Sequence, residues 1–381
     1  MKIALVGGHL APALSVMEAL KPREEVIFIG RHTVFEGDKA KSLEYEMVKE
    51  IGVPFIALNS GRVQRRLTRH TFTSLARIPY GFIQAIAILR KHKPDIVLSF
   101  GGYLSVPVGF AAFFLKIPLI IHEQTLEAGL ANKILAKIAI KICISWKQSL
   151  RFFPNEKVVL TGNPIRKLSR SDRDPEWKLL SGQKSNENLP LLYITGGSSG
   201  AHALNTLVEA CLENLLIKYR VIHQTGDNLK YSDFGRLTTL ISTFPKNLQK
   251  RYYIRKFINS YDTGGIMKDS NLVISHSGIN TVAELLSFGK PCFLIPLPGG
   301  QRNEQLKNAQ FVKKVGIGEY VSEDELSPHL FLSKIEDMFV RYSAYVSHAQ
   351  DAKSLITINA TENIISLLYE VFSKKKYNKI L

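Results

Sequence analysis

Cysteine is scarce. The 381 residues hold three, Cys143, Cys211 and Cys292. They stand far apart in apolar runs, with no CxxC and no Cys/His spacing, which excludes a disulfide framework and a structural zinc site. A reducing compartment is expected. Long apolar runs are missing too. The longest, Leu104 to Leu115, contains Pro107 and is followed by Lys116 and Pro118, well short of the roughly 20 residues a spanning helix needs. The first apolar run, Ile3 to Val6, meets Gly7-Gly8-His9 at once and is too short for the core of a secretion signal. GxGxxG does not occur, and Gly30-Arg31-His32 stands where an acid would hold the ribose of a dinucleotide. No cofactor is expected. A DxD triplet, Asp172-Arg173-Asp174, lacks a preceding buried strand. It reads as linker composition, and no metal site is expected.

What is present has the pattern of two α/β domains. An apolar fraction of 45% supports real cores. Strand-like runs at 2–6, 26–29, 53–58, 95–100, 117–121 and 140–145 alternate with helical patterns at 12–20, 40–51, 71–92, 106–115 and 132–139. A short run follows at 158–161. Such alternation argues for a parallel sheet covered on both faces. Polar residues stand where strands end: His9, Tyr103, His122 and Glu123. Strand ends of such a sheet are where ligands sit. Residues 167–190 are polar, without apolar period, and read as a linker. The plan then restarts: Leu191 to Thr195 is strand-like, Gly196-Gly197-Ser198-Ser199-Gly200 turns, and a helical pattern covers 201–217. Further strands are expected at 221–223, 253–257 and 271–275, and helices from about 310 to Phe372. The expected division is a first domain at 1–166, the linker, a second domain at 191–350, and a C-terminal helix with a basic tail at 351–381. The fold class is α/β, two Rossmann-like doubly wound domains facing a cleft.

The stretch His276 to Ala309 carries the most chemistry. Ser277, Gly278, Asn280 and Thr281 open a helical pattern, and a helix start offers N–H groups and a positive dipole end to an anion. Glu284 lies about one turn in. Gly289-Lys290-Pro291 stops the helix, Cys292 to Ile295 reads as a buried strand, and a polar loop leads to Gln305. A nucleotide-sugar pocket follows as an expectation, with phosphate at the helix start, ribose at Glu284 and sugar hydroxyls at Gln305.

Five segments, HEQTLEAGLANKILAKIA, GNPIR, GGSSGAHALN, HQTG and HSGINTVAELLSFGKP, taken in this order, resemble the MurG family of bacterial transferases, glycosyltransferase family 28. The resemblance covers about residues 1–320. It implies a GT-B fold and an inverting transfer of N-acetylglucosamine from UDP-GlcNAc to the lipid-linked muramyl-peptide lipid I, giving lipid II, at the cytoplasmic face of the membrane. It places Arg166 and Ser198 near the donor diphosphate and ribose, and Ile258 against uracil. Ile279, Asn280, Thr281, Val282 and Ala283 would cradle the nucleotide, Glu284 would bond the ribose, and Gln305 would read the sugar. Thr125 would also serve the donor. Gly7, Gly8, Gly102 and Tyr103 would face the acceptor, and His9 or Glu123 would be the base. The sequence departs from the family pattern in three places: the first glycine loop keeps only Gly7-Gly8-His9, Thr125 replaces an Asn, and His276 replaces a frequent Arg.

The charge is lopsided. Fifty basic against 33 acidic residues give +17, and residues 61–93 hold eight bases and no acid. Leu67, Phe72, Leu75, Ile78, Tyr80 and Phe82 interleave them, and Phe113-Phe114 ends a nearby helical pattern. Apolar residues ringed by bases read as a peripheral anchor on an anionic membrane. Nucleic acid is the competing partner for such a block, but no nucleic-acid motif accompanies it and none is expected to bind. The alternative activities are transfer to another lipid-linked acceptor and a UDP-GlcNAc 2-epimerase.

Overall fold

Apolar runs cut short by glycine become central strands buried on both faces. The computed structural model describes every residue except 33–41, 60–68, 166–176, 179–187, 198–199, 229, 300–302, 358 and 378–381. It divides into two compact units, Met1–Arg166 with Thr357–Leu381, and Lys167–Ile356. The first unit holds β1 (Lys2–Val6), β2 (Glu25–Gly30), β3 (Phe55–Ala57), β4 (Ile96–Ser99), β5 (Leu119–Glu123), β6 (Lys141–Ile144) and β7 (Val158–Leu160). All neighbours pair in parallel, in the order β3-β2-β1-β4-β5-β6-β7. Its helices are α1 (Leu10–Leu20), α2 (Leu43–Ile51), α3 (Arg69–His92), α4 (Ser105–Phe114) and α5 (Leu130–Leu135). Side chains alternate across a strand. Ala4 and Val6 therefore join a core with Ala85, Leu89 and Val108 of α3 and α4. Ile3 and Leu5 face the other way, onto Leu14 and Met17 of α1.

The second unit repeats the plan with β8 (Leu191–Thr195), β9 (Arg220–Gln224), β10 (Tyr252–Arg255), β11 (Leu272–Ser275), β12 (Cys292–Leu294) and β13 (Gly318–Tyr320). They are parallel, in the order β10-β9-β8-β11-β12-β13. Its helices are α6 (His202–Lys218), α7 (Asp233–Ser242), α8 (Lys246–Gln249), α9 (Ser260–Asp269), α10 (Ile279–Phe288), α11 (Glu304–Val315), α12 (Pro328–Val340), α13 (Tyr342–Ser347) and α14 (Ala349–Ser354). One core fills the space between β8, β9, β11 and the helices α6 and α12. Strand β13 interrupts the purely helical stretch expected after residue 310. Its three residues, Gly-Glu-Tyr, have no apolar run to announce them. Trp177, inside the presumed linker, is buried with its ring against Gly265 of α9.

The last helix, α15 (Ala360–Tyr377), packs on the first unit. Ile364, Leu367, Leu368 and Val371 enter the core beside α1, and each such side chain contributes about 1.5–3 kcal/mol by leaving water. Ser15 and Thr361 share a hydrogen bond of 2.9 Å, and Asn363 Nδ2 donates to the Thr161 carbonyl at 3.2 Å. In each sheet the first strand is central and the order reverses beside it, between β1 and β4 and between β8 and β11. Those reversals open crevices at the carboxyl ends of the strands.

Candidate functional site

In the first unit the crevice is built from two glycine turns. Gly7-Gly8 leaves β1, Gly101-Gly102 leaves β4, and Gly8 N–H donates to the Gly101 carbonyl at 3.0 Å. Gly102 has φ +82°, and a Cβ there would lie 2.8 Å from Gly8 N. Close backbone contact and a left-handed conformation both demand glycine. The turns put His9 at the start of α1, close to His122 and Glu123 at the end of β5, and Tyr103 just before α4. Burial pulls the His9 imidazole below the usual histidine range, and the Glu123 carboxylate pulls it part of the way back. Full burial takes His122 down to about 4; its Nε2 lies 3.1 Å from the Gly162 carbonyl.

Glu123 is fully engaged. Its Oε1 accepts from Thr125 N at 3.0 Å and Thr125 Oγ1 at 2.6 Å. Its Oε2 accepts from Gly129 N at 2.9 Å and Asn132 Nδ2 at 3.0 Å. A carboxylate offers about four lone-pair sites, and these contacts fill them. The loop from Gln124 to Gly129 is pinned further by Trp146 Nε1 on the Gln124 carbonyl at 2.8 Å and Ser149 Oγ on the Thr125 carbonyl at 2.7 Å. Thr125 is buried, and its hydroxyl lies within hydrogen-bond reach of both Glu123 Oε1 and the Glu127 carbonyl.

In the second unit the crevice edge gathers the ends of β8, β9, β10, β11 and β12. Gly196-Gly197 follows β8, and Gly197 N–H donates to Thr195 Oγ1 at 3.0 Å. Gly278 precedes α10 in an extended conformation, at φ −62° and ψ 141°, and a helix start of this kind turns its first N–H groups outward. Val282 and Ala283 are core residues, and Val282 N–H is already bonded to the Gly278 carbonyl at 3.0 Å. Both side chains therefore belong to the packed interior of the unit. Glu284 sits one turn in, near the Tyr193 hydroxyl. Burial alone raises its carboxyl to about 7. Gly289 ends α10 at φ +61°, where a Cβ would lie 2.6 Å from the Ala349 carbonyl, so the helix stops where the Gly-Lys-Pro signal put it.

Gln305 opens α11. Its Oε1 accepts from Leu297 N at 3.1 Å, which leaves the amide Nε2 as the donor it can offer. Its main-chain carbonyl accepts from Ser277 Oγ at 2.7 Å, and Asn308 Nδ2 donates to the Ser277 carbonyl at 2.9 Å. These bonds tie α11 to the start of α10. His276 contacts Glu323, Nε2 to Oε1, at 3.2 Å. Ile258 lies just beyond β10, and its N–H donates to Gln224 Oε1 at 3.1 Å. Gln224 escaped the reading of the sequence; its signal was a polar residue closing a buried strand. Arg166 and Ser198 lie outside the described residues.

The chain matches the Glycosyltransferase family 28 N-terminal domain over residues 6–144 and the Glycosyltransferase family 28 C-terminal domain over residues 191–365. It is 30% identical over 379 residues to the UDP-N-acetylglucosamine--N-acetylmuramyl-(pentapeptide) pyrophosphoryl-undecaprenol N-acetylglucosamine transferase of Clostridium tetani, covering 98% of this chain and 99% of the relative. The protein of that name from Treponema denticola is 34% identical over 341 residues, 87% of this chain and 85% of its own. Among solved structures, Acinetobacter baumannii MurG superposes with a TM-score of 0.70 at 23% identity, over 97% of this chain and 99% of that one. With both domains matched in order and relatives aligned along nearly the whole length, the chain belongs to glycosyltransferase family 28.

Proposed function

We propose that this chain is an inverting transferase that moves N-acetylglucosamine from UDP-GlcNAc to N-acetylmuramyl-(pentapeptide) pyrophosphoryl-undecaprenol, the lipid I to lipid II step of peptidoglycan synthesis. The observation that carries this is identity of 30% or more along nearly the full length of relatives bearing that name. In this reading the second unit holds the donor. The α10 start and the Gly196-Gly197 turn face the diphosphate, where N–H groups and the helix dipole stabilise the charge that develops as UDP leaves. Arg166 and Ser198 add to that charge stabilisation. The Ile258 main chain reads uracil, Glu284 accepts from the ribose hydroxyls, and Gln305 Nε2 donates to a sugar hydroxyl.

The first unit handles the acceptor, with Gly7, Gly8, Gly102 and Tyr103 beside its diphosphate and sugar. The acceptor oxygen forms its bond to C1 of the sugar while the bond from C1 to the diphosphate oxygen breaks. The electron pair leaves with UDP, and the hydroxyl proton passes to a base. His9 is that base: burial keeps it neutral at neutral pH, so it can take a proton. Glu123, held by Thr125, Gly129 and Asn132, fixes the loop after β5, and its negative charge favours the protonated form of His9.

The same reading puts the chain against the cytoplasmic face of the membrane. Tyr80 and Ile83 on α3 and Phe110, Phe113 and Phe114 on α4 are exposed, with exposed Arg90, Lys91 and Lys116 on the same two helices and their ends. Leu67 and the side chains of Phe72, Leu75 and Ile78 lie outside the described residues, and Phe82 packs partly buried against the core instead of joining the exposed set. Among the described residues no helix is long and apolar enough to cross a membrane. Apolar side chains beside bases suit an anionic lipid surface.

The decisive test is transfer of radiolabel from UDP-GlcNAc to purified lipid I. Label in the extracted lipid is expected. Transfer to a different polyprenyl-linked acceptor instead, or conversion of the sugar with no acceptor present, would overturn the proposal.

A further inference from the structure

We infer that Gln224 is a positioning residue that locks the diphosphate turn to the base-reading segment of the donor site. The inference rests on the donor reading above. Strand β9 lies between β8 and β10, and its last residue stands level with both: Gln224 pairs with Thr195 and with Arg255. Thr195 leads directly into Gly196-Gly197, and Arg255 leads through Lys256 and Phe257 to Ile258. The Gln224 side chain bridges the two. Its Nε2 donates to the Gly197 carbonyl at 3.1 Å, and its Oε1 accepts from Ile258 N at 3.1 Å. An amide supplies the donor and the acceptor that this bridge needs, and no other side chain of this length has both.

The bridge is well founded. Gln224 is buried, whereas Gly197 is exposed and Ile258 half-buried, so water can take up their carbonyl and amide if the bridge is lost. The preceding residue anchors the strand end. His223 Nε2 lies 3.0 Å from Asn205 Oδ1, and its Nδ1 lies 2.7 Å from the Tyr252 hydroxyl. Asn205 Nδ2 donates to the Thr225 carbonyl and to Asp233 Oδ2 at 3.0 and 2.8 Å. That leaves Asn205 Oδ1 as an acceptor, so His223 carries its proton on Nε2 and accepts from Tyr252 at Nδ1. Strand β9 therefore cannot shift freely, and Gln224 transmits its position to both turns. A ligand that spans them meets two subsites already set at a fixed spacing, which lowers the ordering cost of binding.

The test is Gln224→Met in the full chain, a change that keeps length and packing but removes both hydrogen bonds. The donor KM should rise about tenfold, with kcat and the acceptor KM within about twofold. The melting temperature without ligand should stay within about 2 °C of the parent protein. Hydrogen exchange at the Ile258 amide should accelerate without ligand and slow again with saturating UDP. Gln224→Glu, which keeps the acceptor but sets a carboxylate against the Gly197 carbonyl, should bind UDP more weakly than Gln224→Met. An unchanged donor KM in Gln224→Met, or kcat and thermal stability falling together with it, overturns the inference and leaves the donor reading standing. Failure of the parent protein to bind UDP in calorimetry overturns both.

Discussion

Glu284 is the residue whose protonation state matters most at working pH. Its carboxyl is raised from 4.5 to about 7 by burial. The folded chain therefore keeps a proton between about pH 4.5 and 7 that the unfolded chain has lost. This contributes stability that is full below about pH 4.5 and gone once the pH passes about 7. Ligand binding runs the opposite way, because the ionised carboxylate is the stronger acceptor for ribose hydroxyls. UDP affinity should climb as the pH rises through about 7 and level off about a unit above it, with proton release on binding near neutrality. Glu284→Gln should flatten the profile. Calorimetry in buffers of different ionisation enthalpy measures both, and a flat profile in the parent protein would remove Glu284 from the ribose site. For His9 the expectation concerns rate. His9→Ala should lower turnover by about 10²–10⁴-fold, the usual contribution of a general base, with the UDP dissociation constant within about twofold. Turnover equal to that of the parent would assign the base elsewhere.

The element that depends most on one side chain is the loop after β5. Glu123 holds it from both oxygens, through Thr125, Gly129 and Asn132. Glu123→Gln turns one acceptor oxygen into an NH₂ that points at N–H or O–H donors. At least one buried donor then goes unpaired, a loss of about 1–3 kcal/mol. Scanning calorimetry should show a melting temperature lower by several degrees, and limited proteolysis should cut near residues 124–130 sooner. An unchanged melting temperature would mean the loop is held by Trp146 and Ser149 alone. Elements were the most legible level of the sequence. Strands β1, β4, β5, β8 and β11 are apolar runs cut off by glycine or a polar residue, and α10 carries both its start and stop signals. Strand β13 was not legible, because three residues cannot show a period. Nor was the partner of α15, since an amphipathic pattern says that a face is buried without saying against which sheet. Within the site, Glu284 and Gln305 stood out as polar residues near strand ends. Gln224 and the four donors on Glu123 did not, because each needs several segments folded into one register. The burial of Val282 and Ala283 follows from which face of α10 meets the sheet, and the nucleotide motif does not encode that.

At the scale of the whole molecule the proposed membrane face is the testable feature. Phe113→Asp combined with Phe114→Asp should weaken binding to phosphatidylglycerol vesicles at least tenfold, since it removes apolar area and adds charge that an anionic surface repels. UDP binding should be unaffected, because both residues are exposed on α4 in the first unit, whereas the donor site is proposed in the second. Equal co-sedimentation of the variant and the parent protein would place the contact elsewhere. The return of α15 to the first unit has a consequence for how the chain is made. The 190 residues from 167 to 356 form the second unit between the two parts of the first. At about 5–20 residues per second, a ribosome takes about 10–40 s to pass through them. During that interval the groove beside α1 lacks Ile364, Leu367, Leu368 and Val371, so the earlier-made unit completes its core after the later-made one has already emerged. A chaperone that recognises exposed apolar surface has its longest opportunity on the face of α1.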